Sequence, residues 1–194
     1  NWEKYYQLKK GDVFVEAGAF WGRYGLIAAA KECSKIILIE ASPVNIETIK
    51  NLIKEDNLKN IILVEKAISN KKQTLKFNTS KNPAGHHTIE KNFFVNAYAK
   101  DNEDDTLIEL EGETLINILN HLKIDNIDLL ASDCEGAEIH LINSISNLLK
   151  EKKIKHLAIG AYHTIYNPIT IITLLKKYKY KGIKHEDGVV YAHI

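Results

Sequence analysis

Residues 11–25 read GDVFVEAGAFWGRYG. An apolar run, Val13-Phe14-Val15, ends at an acid, Glu16, and three glycines follow, Gly18, Gly22 and Gly25. The run is short, branched and aromatic, which predicts a buried strand. GRYGLIAAAKEC after it predicts a helix. The same alternation continues outward. KIILIEA predicts a second buried strand. SPVNIETIKNLIKEDN predicts a helix with Ser42 as N-cap, Pro43 in the first position, and Val44, Ile46, Ile49, Leu52 and Ile53 at helical spacing. NIILVEKAI predicts a third strand. Strand, helix and strand repeated in this order imply parallel pairing by right-handed crossovers, hence an open α/β sheet.

The middle differs. TLKFN alternates like an exposed strand, and residues 79–105 then lose periodicity and carry the acidic run KDNEDDT. The stretch at about 79–113 is expected to be an insertion lying over the sheet and shaping a pocket, within a single domain spanning residues 1–194. ETLINILNHL resumes a helical pattern. IDLLASD predicts a strand ending in an acid, EGAEIHLINSISNLLKEK a helix, KHLAIGAYH a strand and PITIITLLKKYKY a helix. The closing GIKHEDGVVYAHI places Asp187-Gly188 between two β-rich arms, a hairpin signal.

Bulk properties restrict the function classes. The 194 residues are 45% hydrophobic and 26% charged, with a formal net charge of +1. Basic residues are nearly all lysine, with Arg23 the lone arginine. Neither the charge nor this composition suits a nucleic-acid reader, which favours arginine forks. Cys33 and Cys134 have no CxxC spacing, so neither a disulfide scaffold nor a zinc knuckle is expected, and a reducing cytoplasm fits. No apolar stretch approaches the roughly 20 residues that span a bilayer. The chain opens on polar NWEKYYQLKKGD without a signal-peptide pattern; it has no initiating Met, and whether an upstream segment precedes it is open from the sequence.

In an open parallel sheet, ligands bind beyond the carboxyl ends of the strands, where strand order reverses. Those ends carry Glu16, Glu40, Glu65, Asp133 and His163, four acids in five positions. The opening turn is G-A-x-x-G, short of the full dinucleotide fingerprint. A pyrophosphate prefers bare amides and no adjacent negative charge. Glu16 beside the turn therefore fits a ligand bearing an ammonium, and Glu40 fits a ribose-hydroxyl acceptor. A nucleoside with a cationic tail and no phosphate is S-adenosyl-L-methionine. Asp133 ends a strand beside this crevice, and Glu135 and Glu138 are expected one turn apart on the next helix, where acids also favour the helix dipole.

Together FVEAGAFWGRYG, ILIEASPVNIETIKNLI, ILVEKAIS, LLASDCEGAE and LAIGAYH resemble the FkbM family of class I S-adenosylmethionine-dependent methyltransferases, from about residue 10 to the C-terminus. The resemblance implies a Rossmann-like, mostly parallel seven-stranded sheet with a C-terminal antiparallel hairpin and helices on both faces. It implies methyl transfer, usually to oxygen on sugars or small metabolites. Carried over, Glu16, Gly18, Ala19 and Gly22 hold the methionine end, and Glu40, Ala41 and Ser42 the ribose. Lys66, Ala67 and Ile68 flank the adenine, and Asp133, Glu135 and Gly136 border the reacting centre. Three positions depart from the family pattern. Phe20-Trp21 replace a small or polar residue, Ala131-Ser132 replace Lys-Ile ahead of Asp133, and Ala161 stands two residues before His163 where a Glu is usual.

For catalysis, His163 is the first candidate base and Asp133 the second, with Glu135 alongside. His86 and His87 are candidate acceptor contacts. Convergence of Asp133, Glu135, Glu138 and His163 on a divalent ion is an alternative, less favoured than a metal-free site. The expected partner is a small-molecule or glycan acceptor, with no nucleic acid or membrane and an open oligomeric state. An N-methyltransferase on RNA or protein and a non-catalytic S-adenosylmethionine-binding domain are the competing readings.

Overall fold

The computed structural model of the chain describes residues 1–80 and 105–194. The first half alternates as expected: β1 (Val13–Ala17), α1 (Arg23–Ala30), β2 (Lys35–Glu40), α2 (Pro43–Glu55) and β3 (Ile61–Glu65). Three further strands follow, β4 (Ala67–Ile68), β5 (Gln73–Ser80) and β6 (Asp105–Glu113), then α3 (Leu115–His121) and β7 (Ile127–Ser132). The chain closes with α4 (Glu138–Ser144), α5 (Ser146–Lys150), β8 (Ile154–Gly160), α6 (Asn167–Lys177), β9 (Lys181–Glu186) and β10 (Val189–His193).

Seven strands form one sheet in the order β3-β2-β1-β7-β8-β10-β9. β3, β2, β1, β7 and β8 are parallel neighbours, while β10 runs antiparallel to both β8 and β9. The order reverses between β1 and β7, so the switch-point crevice opens where Ala17 pairs with Ser132. The β9–β10 turn at Asp187 and Gly188 has φ of 53° and 75°, the left-handed pair of a type I′ hairpin.

Both faces of the sheet are covered, which is why its strands read as continuous apolar runs. Val15 and Ala17 of β1 join Ile37, Ile39 and Leu130 on one face, packed by Leu115, Leu141, Leu149 and Ile171 of α3, α4, α5 and α6. Phe14 joins Ile36, Leu38 and Leu129 on the other, under Ala28 of α1 and Ile49 of α2. Beyond those two helices, the N-terminal residues take over the cover through Trp2 and Leu8. With a period of two along β1, Glu16 shares the face of Phe14 and ends up beneath that N-terminal stretch.

Two features differ from the sequence expectation. NIILVEKAI is not one strand: the chain leaves the main sheet at Lys66, and β4 pairs instead with β6 in a separate sheet of order β4-β6-β5. Residues 105–113, expected within the insertion, form β6, an antiparallel partner of β5 with Leu75 opposite Leu110 and Phe77 opposite Ile108. Residues 81–104, including His86 and His87, lie outside the described residues.

Candidate active site

The β1–α1 turn brings the expected cofactor-holding residues to the crevice, and internal packing dictates its glycines. Gly18 has φ +80°, and a Cβ there would stand 2.0 Å from the Asp133 carbonyl oxygen. The loops after β1 and β7 are therefore in backbone contact. Gly22 precedes α1 at φ +73°, where a Cβ would meet Ile49 at 3.2 Å. Ala19 is buried, and its N–H, like that of Gly18, donates to the Ile39 carbonyl. Both glycines lie at positive φ, and a Cβ at Gly18 would strike the backbone of the neighbouring loop.

Glu16 is only 3% exposed. The Trp2 indole N–H donates to its Oε1 at 2.6 Å, and its Oε2 is buried without a hydrogen-bond partner among the described residues. Burial pushes the Glu16 carboxyl up to about 8; the Trp2 bond opposes the shift, and the charges of Glu40 and Asp133 add to it. Those two influences place three carboxyl groups around one crevice. No Lys or Arg forms an ion pair with Glu16 or Glu40 among the described residues.

Glu40 is bound chiefly by backbone. Its Oε1 accepts from the Ala41 and Ser42 N–H groups at 2.9 and 2.8 Å, and its Oε2 from the Phe20 N–H at 2.8 Å. Burial raises its pKa, and these bonds work against the rise. Phe20 adopts φ 53°, a strained conformation for a non-glycine residue, and its ring stacks on Trp21 at 4.5 Å with both rings exposed. Ser42 precedes α2 as expected, yet its side chain makes no capping bond, and its Oγ lies buried without a partner.

The expected adenine residues divide. The Lys66 ammonium pairs with Glu111 at 2.8 Å. Ala67 and Ile68 are buried, and Ile68 belongs to the core cluster on the α3 face. Ile68 also lines a cleft of about 120 Å³, with Ser69 and Asn70 on one side and Cys134, Glu135 and Gly136 on the other.

Among the described residues, a tight cluster of functional groups surrounds His163, whose side chain is 6% exposed. Its Nε2 lies 3.4 Å from Asp133 Oδ1 and 3.3 Å from Glu135 Oε2, and its Nδ1 lies 3.1 Å from Glu138 Oε1. None of these contacts is aligned as a hydrogen bond. Burial lowers the imidazole pKa, but the Glu135 and Glu138 carboxylates outweigh it and raise the value to about 10. Asp133 is pushed up to about 6 by burial, against the stabilising Tyr162 hydroxyl and His163. Tyr162 donates within 2.7 Å of Oδ1 and 2.6 Å of Oδ2 of Asp133.

Glu138 is fully buried; its Oε1 accepts from the Cys134 N–H at 2.8 Å and its Oε2 from the Asn167 amide at 3.3 Å. The spacing predicts Glu135 on one helix with Glu138, and the structure places it outside that helix. α4 begins only at Glu138, and Glu135 sits in the preceding turn at φ 49°, followed by Gly136 at φ 107°. That left-handed turn is what carries the Glu135 carboxylate to His163.

Three supporting residues were missed from sequence: Trp2, Tyr162 and Asn167. Tyr162 stands directly ahead of His163 in GAYH, so its position at a strand end was a usable signal. Trp2 and Asn167 carry no local pattern that announces their long-range bonds.

Residues 12–181 match the Methyltransferase FkbM domain. The chain belongs to the FkbM methyltransferase family. An FkbM methyltransferase structure from Methylobacillus flagellatus KT is similar at TM-score 0.71 and 16% identity, covering 98% of this chain and 46% of that one. The chain thus spans about half the length of that FkbM structure. A precorrin-6y C5,15-methyltransferase from Geobacter metallireducens GS-15 is similar at TM-score 0.53 and 14% identity, over 96% of this chain and 80% of that one. Aeropyrum pernix fibrillarin with natively bound S-adenosyl-L-methionine is similar at TM-score 0.50 and 11% identity, over 95% and 67%. No curated protein sequence matches significantly. The fold of this FkbM chain is the Rossmann-like class I methyltransferase fold. No helix among its described residues is long and apolar enough to cross a membrane.

Proposed function

We propose that this FkbM chain binds S-adenosyl-L-methionine in the switch-point crevice and directs methyl transfer to a hydroxyl oxygen of a sugar or small hydroxylated metabolite. The observation that carries the reading is Glu16 Oε2, a buried carboxyl oxygen without a partner at the end of β1; raised to about 8, the carboxyl holds a proton at neutral pH in the free site and gives it up when a cation arrives. Such an atom is costly unless a donor or cation meets it. An amino-acid ammonium supplies one, and a pyrophosphate would repel it. Glu40 is held by three backbone N–H groups and the Asn45 side chain, which fix its carboxyl as an acceptor for a ribose hydroxyl, with Ser42 Oγ unpartnered beside it.

The cofactor supplies a methyl group already activated on a sulfonium. The protein's task is to align the acceptor, exclude water and receive the hydroxyl proton. Asp133 suits that last role better than His163 in the metal-free site. A carboxyl at about 6 is ionised at neutral pH, whereas an imidazole at about 10 is already protonated. Tyr162 holds the Asp133 carboxylate in place. Both cysteines are free, in keeping with a cytoplasmic setting.

Calorimetric titration with S-adenosyl-L-methionine and with NAD tests the cofactor, and NAD binding with no S-adenosyl-L-methionine binding would reject the proposal. An acceptor screen scored by S-adenosylhomocysteine release then separates an enzyme from a binding domain.

A further inference from the structure

Asp133, Glu135 and His163 each direct one ligand-type atom into a single spot, all within 4.8 Å of one another. The two measured separations from Nε2, 3.4 and 3.3 Å, match the spacing of donors around one ion. With metal–ligand bonds of about 2.1 Å, adjacent donors lie about 3.0 Å apart in an octahedron and about 3.4 Å apart in a tetrahedron. An acidic cluster alone would not make a site. The independent observation is the His163 ring, nine-tenths buried, with Nε2 aimed between the two carboxylates and no aligned hydrogen bond on either nitrogen among the described residues.

The surroundings of the ring follow the logic of a metal-bound histidine. Such a residue commonly presents its other nitrogen to a carboxylate, which fixes tautomer and orientation. Here Nδ1 faces Glu138 at 3.1 Å, and Glu138 is itself fixed by the Cys134 N–H and the Asn167 amide. Tyr162 has a single hydroxyl proton shared between the two Asp133 oxygens, which leaves lone pairs on both for an ion. Neither Asp133 nor Glu138 has a Lys or Arg ion-pair partner among the described residues.

We infer that Asp133, Glu135 and His163 Nε2 hold one divalent cation of the manganese class, with Glu138 orienting the imidazole from behind. Two carboxylate oxygens and one imidazole nitrogen suit such an ion, and three protein donors leave coordination positions open. Binding displaces any proton on Nε2 to solvent. The ion's role, polarising the acceptor hydroxyl at the end of β7, rests on the methyl-transfer reading; its binding does not.

The test uses Mn²⁺ alone, followed by electron paramagnetic resonance and calorimetry on the full chain. Wild type is expected to bind one equivalent, and His163→Ala to bind at least ~100-fold more weakly, since even supporting residues of metal sites cost 10–100-fold. His140→Ala, a histidine lining the neighbouring cleft, is expected to bind as wild type. Circular dichroism checks each fold. If His163→Ala fails to fold, Asp133→Asn and Mn²⁺ broadening of the His163 ring resonances in wild type decide instead. Absence of binding by wild type, or equal binding by a folded His163→Ala, overturns the inference. S-adenosyl-L-methionine binding without Mn²⁺ binding removes the metal and leaves the proposed function intact; the reverse removes the function and leaves the metal.

Discussion

Replacing Glu16 with Gln separates a buried carboxyl's charge from its shape. In the folded chain Glu16 is 3% exposed and its pKa rises from 4.5 to about 8, with burial the leading cause. The sign follows from proton counting. Between these two values the folded chain keeps a proton that the unfolded chain has lost, so stability is greatest at low pH and falls as pH rises. Each pH unit across the window costs about 1.4 kcal/mol, for a total on the order of 4 kcal/mol between pH 5 and 8. Glutamine is a neutral isostere that can still accept from the Trp2 indole. Urea unfolding followed by circular dichroism is expected to give nearly equal stabilities for wild type and Glu16→Gln at pH 5. At pH 8 the variant is expected to be the more stable, by roughly 3–4 kcal/mol. Comparing the two chains cancels the contributions of other titrating groups. Parallel stability curves for the two proteins from pH 5 to 8 would refute the buried-charge account of Glu16. The same change should weaken S-adenosyl-L-methionine binding by roughly 10–100-fold, the range of a lost charge-assisted bond of about 1.5–3 kcal/mol.

Other outcomes follow from the packing. Gly18→Ala puts a Cβ 2.0 Å from the Asp133 carbonyl at a φ of +80°, so it is expected to lower stability by about 3 kcal/mol or more in denaturant titration. Glu138→Ala leaves the Cys134 N–H and the Asn167 amide unpaired in a fully buried site, a loss of roughly 2–4 kcal/mol readable as a lower Tm. Tyr162→Phe removes a donor that lowers the Asp133 pKa, so the Asp133 titration, followed by carboxyl NMR, should move above about 6. Leu38→Ala, in the fully packed centre of β2, should cost about 2–5 kcal/mol.

The parallel strands were legible because both their faces are buried, which makes β1, β2, β7 and β8 continuous apolar runs. The strand-end acids could then be placed from the architecture alone. What escaped depends on partners distant in sequence. The switch of β4 to a second sheet turns on the single residue Lys66, and β6 is defined by its pairing with β5, while its own sequence carries many acids. Periodicity carried the α4 helix back through Glu135, because a left-handed turn at a non-glycine residue leaves no periodic mark. The convergence of Glu16, Glu40 and Asp133 was readable in outline; Trp2 over Glu16 and Tyr162 under Asp133 were not, since each bond joins residues far apart in the chain.

The β5–β6 ladder has an engineering consequence. Ser80 and Asp105 are cross-strand partners at its open end, so their backbones stand only about 5 Å apart. Both strands belong to the three-stranded sheet, so an insert joined at Ser80 and Asp105 is attached to no strand of the seven-stranded sheet. Sequences joined at this pair would therefore be anchored on the smaller sheet alone, leaving the hydrogen-bond ladder of the larger one as it is.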